Sequence, residues 1–76
     1  MFGLRLSAER RRLGLSQQKV ADLLGVSRSA IAMLETDRAG LELERLLRLG
    51  EYGYDVMKLL TDEPEQVAAG RILAWN

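Results

Sequence analysis

Apolar residues recur at helical spacing in short blocks along this chain, and each block ends at a glycine or a turn-forming cluster. Phe2, Leu6, Arg10 and Leu13 share one face of a first predicted helix over residues 3–13, with Gly14 just beyond as its stop. The other face carries Arg5, Arg11 and Arg12. A second helix over residues 17–24 points Val20, Ala21 and Leu24 inward and Gln18, Lys19 and Asp22 outward. A third over residues 28–35 buries Ile31 and Leu34 and turns Arg28, Ser29, Ala32 and Met33 the opposite way. Leu43, Leu46 and Leu47, widened by Leu41 and Leu49, give an amphipathic fourth helix that Gly50 and Gly53 close. Asp55 caps a short fifth helix, which packs through Val56, Leu59 and Leu60. The expected fold is all-α: a compact bundle of five short helices over residues 1–61, followed by a C-terminal extension over residues 62–76.

The stretch of residues 16–35 organises the rest. Ser16 and Ser27 each stand where a hydroxyl caps a helix start, accepting a backbone N–H that the first turn leaves unsatisfied. Gly25 lies between the two helices and takes the left-handed conformation without steric cost. Ala21, four residues before it, is small where two helices cross, and Ile31, six residues after it, faces back onto that crossing. This is helix-turn-helix spacing in helices two and three.

The extension is less determined. Asp62-Glu63-Pro64 suits a helix start, with Val67 and Ile72 on one face, yet Gly70 counts against a long helix and Ile72-Leu73-Ala74-Trp75 fits a strand or an extended arm equally well. Val67, Ile72, Leu73 and Trp75 are more apolar than a loose tail needs, so the segment is expected to pack on its own domain or on a second copy as a candidate dimerisation segment.

Composition narrows the chemistry. With 76 residues the chain suits one small domain, a size that buries only about 60% of its unfolded surface and gains from dimerisation. Cysteine and histidine are both absent, which excludes disulfides, the usual zinc ligand sets, cysteine nucleophiles and histidine acid–base catalysis. Ser16, Ser27 and Ser29 have no histidine to activate them, and Asp62, Glu63 and Glu65 lack the spaced ligand loop of a divalent-ion site. The chain is therefore read as not an enzyme, with no cofactor, metal or small-molecule ligand. There is no apolar run of about 18 residues, so no membrane span is expected and the cytoplasm is the expected location. The formal net charge is zero, but residues 1–38 hold seven Lys/Arg against four acids and residues 39–76 four against seven, balances of +3 and −3. The first half can face a polyanion while the second faces water or a partner.

With Gln17, Ala21, Gly25, Ile31 and Glu35 placed, residues 4–60 resemble the Cro/repressor-type (lambda-repressor-like) helix-turn-helix family of bacterial and phage regulators. The resemblance is carried by Gly14-Leu15-Ser16-Gln17, then Val20-Ala21, Leu23 through Ile31, and Leu34-Glu35; Gly53 through Thr61 resembles a subgroup common among phage-borne regulators. It implies a small transcriptional regulator that lays its third helix in the major groove of double-stranded DNA, as a homodimer on a palindromic operator with half-sites about one helical turn apart. Arg28, Ser29 and Met33 match the family's base-facing positions. Gln17 matches the glutamine that fixes the domain on the phosphate backbone, and Ser27, Arg38, Arg10 and Arg11 are expected beside phosphates, with Arg5 and Arg12 as further candidates. Arg10 and Glu35 match a pair that in relatives forms a partly buried ion pair. Ala30, Ala32 and Met33 depart from the polar residues usual on this face, leaving Arg28 as the one side chain able to make a bidentate contact to guanine. Ala32 and Met33 suit a thymine methyl instead. The frequent Asn-Gly after the third helix is Thr36-Asp37 here, which puts an acid near the expected phosphate path. The favoured reading is a repressor; the alternative is a protein-interaction module on the same scaffold, such as an antitoxin or phage anti-repressor partner.

Overall fold

The computed structural model describes residues 1–61, and the expectations for residues 62–76 lie outside the described residues. In chain order the helices are α1 (Phe2–Arg12), α2 (Gln17–Leu24), α3 (Arg28–Glu35), α4 (Leu43–Glu51) and α5 (Val56–Leu59), with no strand among the described residues. The three side-chain caps fall where the sequence puts them: Ser16 Oγ accepts the Lys19 N–H at 3.0 Å, Ser27 Oγ that of Ala30 at 3.1 Å, and Asp55 Oδ1 that of Lys58 at 3.1 Å. Every helix contributes to one core, in which Leu6 of α1 meets Val20, Ala21 and Leu24 of α2, Ile31 of α3, Leu46 and Leu49 of α4, Tyr54, and Leu59 of α5. Ala21 and Leu59 are completely buried. None of these helices is long and apolar enough to cross a membrane.

Two expectations need correcting. Leu43, Leu47 and Leu60 do not pack into the bundle but stand 71%, 58% and 58% exposed. A helix as short as α4 touches the core along one seam, here Leu46 and Leu49, and the leucines rotated off that seam are left in water. Gly50 does not close α4 either; it lies inside the helix, where Val56 packs so closely over it that a Cβ would sit 3.0 Å from Val56 Cγ2.

Four helices end in one way. After α1, α2, α3 and α4 a residue with positive φ stands just past the helix, and its N–H and the next one turn back onto carbonyls of the last turn. Glycine fills this place at Gly14, Gly25 and Gly53, but after α3 it is Asp37, at φ 59°. A non-glycine residue there costs about 1–2 kcal/mol. The cost is offset across space: Asp37 Oδ1 accepts the Gly3 N–H at 2.8 Å, supplying the start of α1 with the cap that its own Met1 does not provide. Gly3 must be glycine for this contact, because a Cβ would lie 2.5 Å from the Glu35 carbonyl oxygen. The departure at Thr36-Asp37 thus joins the end of α3 to the beginning of α1.

The opposite side of α1 is tied to α5 by a buried carboxylate. Glu9, 4% exposed, accepts from Arg12 Nε and Nη2 at 3.0 and 2.9 Å and from the Asp55 N–H at 2.7 Å. Arg12 also donates to the Gly53 carbonyl at 2.8 Å, and Arg5 Nε to that of Leu59 at 2.8 Å. Hydrogen bonding from Arg12, reinforced by the Asp55 N–H, holds the Glu9 carboxyl below its ordinary value of 4.5 against the opposing effect of burial.

Two outcomes follow from these contacts. Asp37→Ala should lower stability in urea denaturation by about 1–2 kcal/mol, through lost cap and unrelieved positive φ, whereas Asp37→Asn keeps an acceptor and tolerates the backbone, and should stay close to the parent. For Glu9 the folded value is depressed, so its contribution is full above about pH 4.5 and is lost as pH falls through the folded value. Acid unfolding followed by circular dichroism should therefore steepen below pH 4.5, and Glu9→Gln should be less stable at neutral pH yet lose less on acidification.

Candidate nucleic-acid interface

The turn Gly25-Val26-Ser27 sets α3 across α2, and Ile31 at 3% exposure fixes which side of α3 faces inward. At 100° per residue the outward arc then runs Arg28, Ala32, Ser29, Met33 in angular order. Arg28 and Ser29 are exposed, Ala32 is half-buried and Met33 is 44% exposed, so the phase of the predicted helix holds. Arg28, Ser29 and Ala32 line a shallow hollow of about 190 Å³. Arg28 makes no hydrogen bond or ion pair among the described residues. Met33 opens instead onto a second, more apolar hollow of about 170 Å³, shared with Val26, Ala30, Ala39, Gly40 and Arg45. The three expected base-facing residues therefore lie on one arc, with the cation at one rim and the thioether at the other.

The residues expected near phosphates divide into two kinds. Ser27 is exposed beside the start of α3, and its hydroxyl, though accepting in the cap, keeps an O–H to donate. Arg38 is exposed just past α3, and Arg11 is exposed on the outer side of α1. Arg10 and Gln17, by contrast, converge on Glu35. Arg10 Nε and Nη2 donate to its two oxygens at 2.7 and 3.1 Å, Gln17 Nε2 donates to Oε1 at 3.2 Å, and Arg10 Nη1 reaches the Leu15 carbonyl at 2.9 Å. The side chains of Arg10 and Glu35 are 11% and 7% exposed. Hydrogen bonding to Glu35 keeps Arg10 still more firmly protonated, and burial close to that carboxylate pushes the Tyr54 phenol up to about 12. Three of Arg10's five N–H donors are held inside the domain, so its chief work is to position α3, and two N–H bonds remain for any outside acceptor. Arg5 and Arg12 reach toward α5.

Two features here are not marked in the sequence. The carboxylate of Asp37, the acid near the expected phosphate path, is turned back onto Gly3. Arg45 of α4 borders the hollow beside Met33, a placement that no local pattern in the sequence marks.

Comparison with known proteins gives a match of residues 6–52, more than half of the chain, to a protein-family model described as helix-turn-helix. No curated protein and no solved structure matches it.

The Arg10–Glu35 pair can be weighed by a double-mutant cycle. Arg10→Met or Glu35→Leu alone strands a buried charge and should cost about 3–5 kcal/mol in chemical denaturation. The double variant, which leaves no orphan charge, should cost clearly less than the sum of the two.

Proposed function

The chain belongs to the helix-turn-helix family, a family of DNA-binding transcription regulators, and from that premise we propose that it is a sequence-specific repressor acting in the cytoplasm as a homodimer. In this reading residues 1–61 form the DNA-binding unit. It lays α3 in the major groove at each half of a two-fold operator and represses by occupying promoter DNA. The observation that carries the proposal is Arg28, an exposed guanidinium without a partner among the described residues, at the start of a helix whose other side is locked in the core. Such a group makes the bidentate contact to guanine O6 and N7. Ser29 reaches a neighbouring base edge, and Met33 lies over a thymine methyl. Ser27, Gln17, Arg38 and Arg11 set the register on the phosphates, with Arg10 adding its two remaining donors.

Two observations favour a second reading. The hollow beside Met33 is apolar and the net charge is zero, which suits a protein partner as well as a nucleic acid.

Arg28→Ala separates the two readings. On a duplex selected by the parent from a random pool, the variant should keep its fold by circular dichroism and lose about 1–3 kcal/mol of affinity at each half-site, about 2–6 kcal/mol or roughly 30- to 20,000-fold for the dimer, with relaxed choice at one base pair of each half-site. A dimer touching six to ten phosphates should also lose about 10³- to 10⁵-fold in affinity between about 50 and 200 mM salt. Unchanged binding by Arg28→Ala together with a flat salt response would leave the protein-interaction reading in place of the repressor.

A further inference from the structure

We propose that the outward face of α4 is the surface on which two copies of this chain meet, antiparallel, with Leu43 and Leu47 at its centre; this rests on the homodimer reading above and names its interface. The two leucines are four residues apart and lie one above the other on the helix. Their exposures are 71% and 58%, while Leu46 at 8% and Leu49 at 2% already anchor α4 in the core. Among the described residues the exposed pair is therefore not used by the fold of one copy, and covering it removes apolar surface from water.

Charge identifies the occupant. Glu44, Arg48 and, seven residues beyond Glu44, Glu51 flank the leucines on one side, all exposed and none in an ion pair among the described residues. When two identical helices pack antiparallel about a two-fold axis, each flank faces the same flank of its mate end for end. Glu44 of one copy then meets Arg48 of the other, twice over, around Leu43 against Leu47. A parallel pairing sets this flank against the opposite flank of the mate, so Glu44 and Arg48 do not meet. The stripe is thus complementary to itself in the antiparallel orientation.

Arg45, on the opposite side of the same helix, borders the hollow of Met33, so α4 stands between the proposed axis and α3. Nine residues span only about 13 Å, and one pair of such helices covers well under the roughly 1,200 Å² of a stable interface. Pairing of the free protein is therefore weak and depends on concentration, and binding of both copies to one duplex strengthens it.

The test uses the full chain in sedimentation equilibrium from micromolar to millimolar concentration, with circular dichroism to verify folding. Glu44→Arg makes the Glu44–Arg48 pair wholly basic and Arg48→Glu makes it wholly acidic. Each variant alone should dimerise about ten-fold more weakly than the parent, and an equimolar mixture should recover the parent's affinity as a heterodimer. Charge repulsion within a helix is the same in both experiments, so recovery on mixing reports contact between copies. Leu47→Glu should abolish pairing in either background. A mixture no tighter than its components, or a Leu47→Glu chain that dimerises like the parent, overturns the α4 interface while leaving a homodimer built on another face. A parent that stays monomeric up to millimolar concentration overturns it too, and selective DNA binding by that parent, measured separately, shows whether the regulator reading survives.

Discussion

The carboxylate of Glu35 is where three helices are held in register. It stands at the last position of α3 and takes hydrogen bonds from Arg10 of α1 and Gln17 at the start of α2. A carboxylate only 7% exposed is costly to bury alone, and so is a guanidinium at 11%, so each requires the other. The fork of arginine matches the two oxygens in one plane, which fixes orientation as well as distance. Helices of eight residues have little stability of their own. Their relative angle depends on such a directional tie as much as on the apolar contacts of Ala21 and Ile31.

The same end of α3 carries a second constraint a few residues later. Gly3 lets the backbone of α1 touch the Glu35 carbonyl, and Asp37 both reverses the chain and caps the first turn of α1. Side chain and main chain of one short stretch are thereby bonded to the first and second helices. On the far side, Glu9 ties α1 to the entry of α5. Since α1 is gripped along both sides, α3 cannot tilt without breaking bonds in several elements at once, and its outward arc is presented as a rigid strip. Rigidity of that kind is what a reading helix needs, because base discrimination depends on holding donors at fixed distances.

Much of this was legible in the sequence because it rests on local rules. Ser16, Ser27 and Asp55 cap where their spacing to the following apolar positions says, and Gly14, Gly25 and Gly53 end helices because few other residues take their φ. The inward arcs of α2 and α3 follow from period alone. What was not legible depends on distance in space. That Leu43 and Leu47 miss the core is set by how narrowly α4 touches the bundle, and a leucine-rich helix reads the same whichever leucines face in. Gly3 and Asp37 each look unremarkable in their own segments, and their meaning appears only when residues 34 positions apart meet. For the candidate interface, the expected roles of Arg28 and Gln17 rest on family resemblance alone, whereas the surroundings of Met33 come from the fold.

Magnitudes connect a sparse reading face to the need for a second copy. On the repressor reading one bidentate reader, Arg28, discriminates by about 1–3 kcal/mol at each half-site. A regulator must separate its site from non-specific DNA by about 4–10 kcal/mol. Two half-sites double the contribution of Arg28 to about 2–6 kcal/mol, which reaches the lower part of that range and no further. On the repressor reading the remainder falls to methyl contacts from Met33 and Ala32 and to the deformability of the DNA between half-sites. The second of these terms acts only when two copies are held at a set spacing. A weak interface suffices for that, because the duplex itself raises the effective concentration of the second copy. It also makes occupancy respond steeply to protein concentration, which a tight dimer of the same reading power would not do.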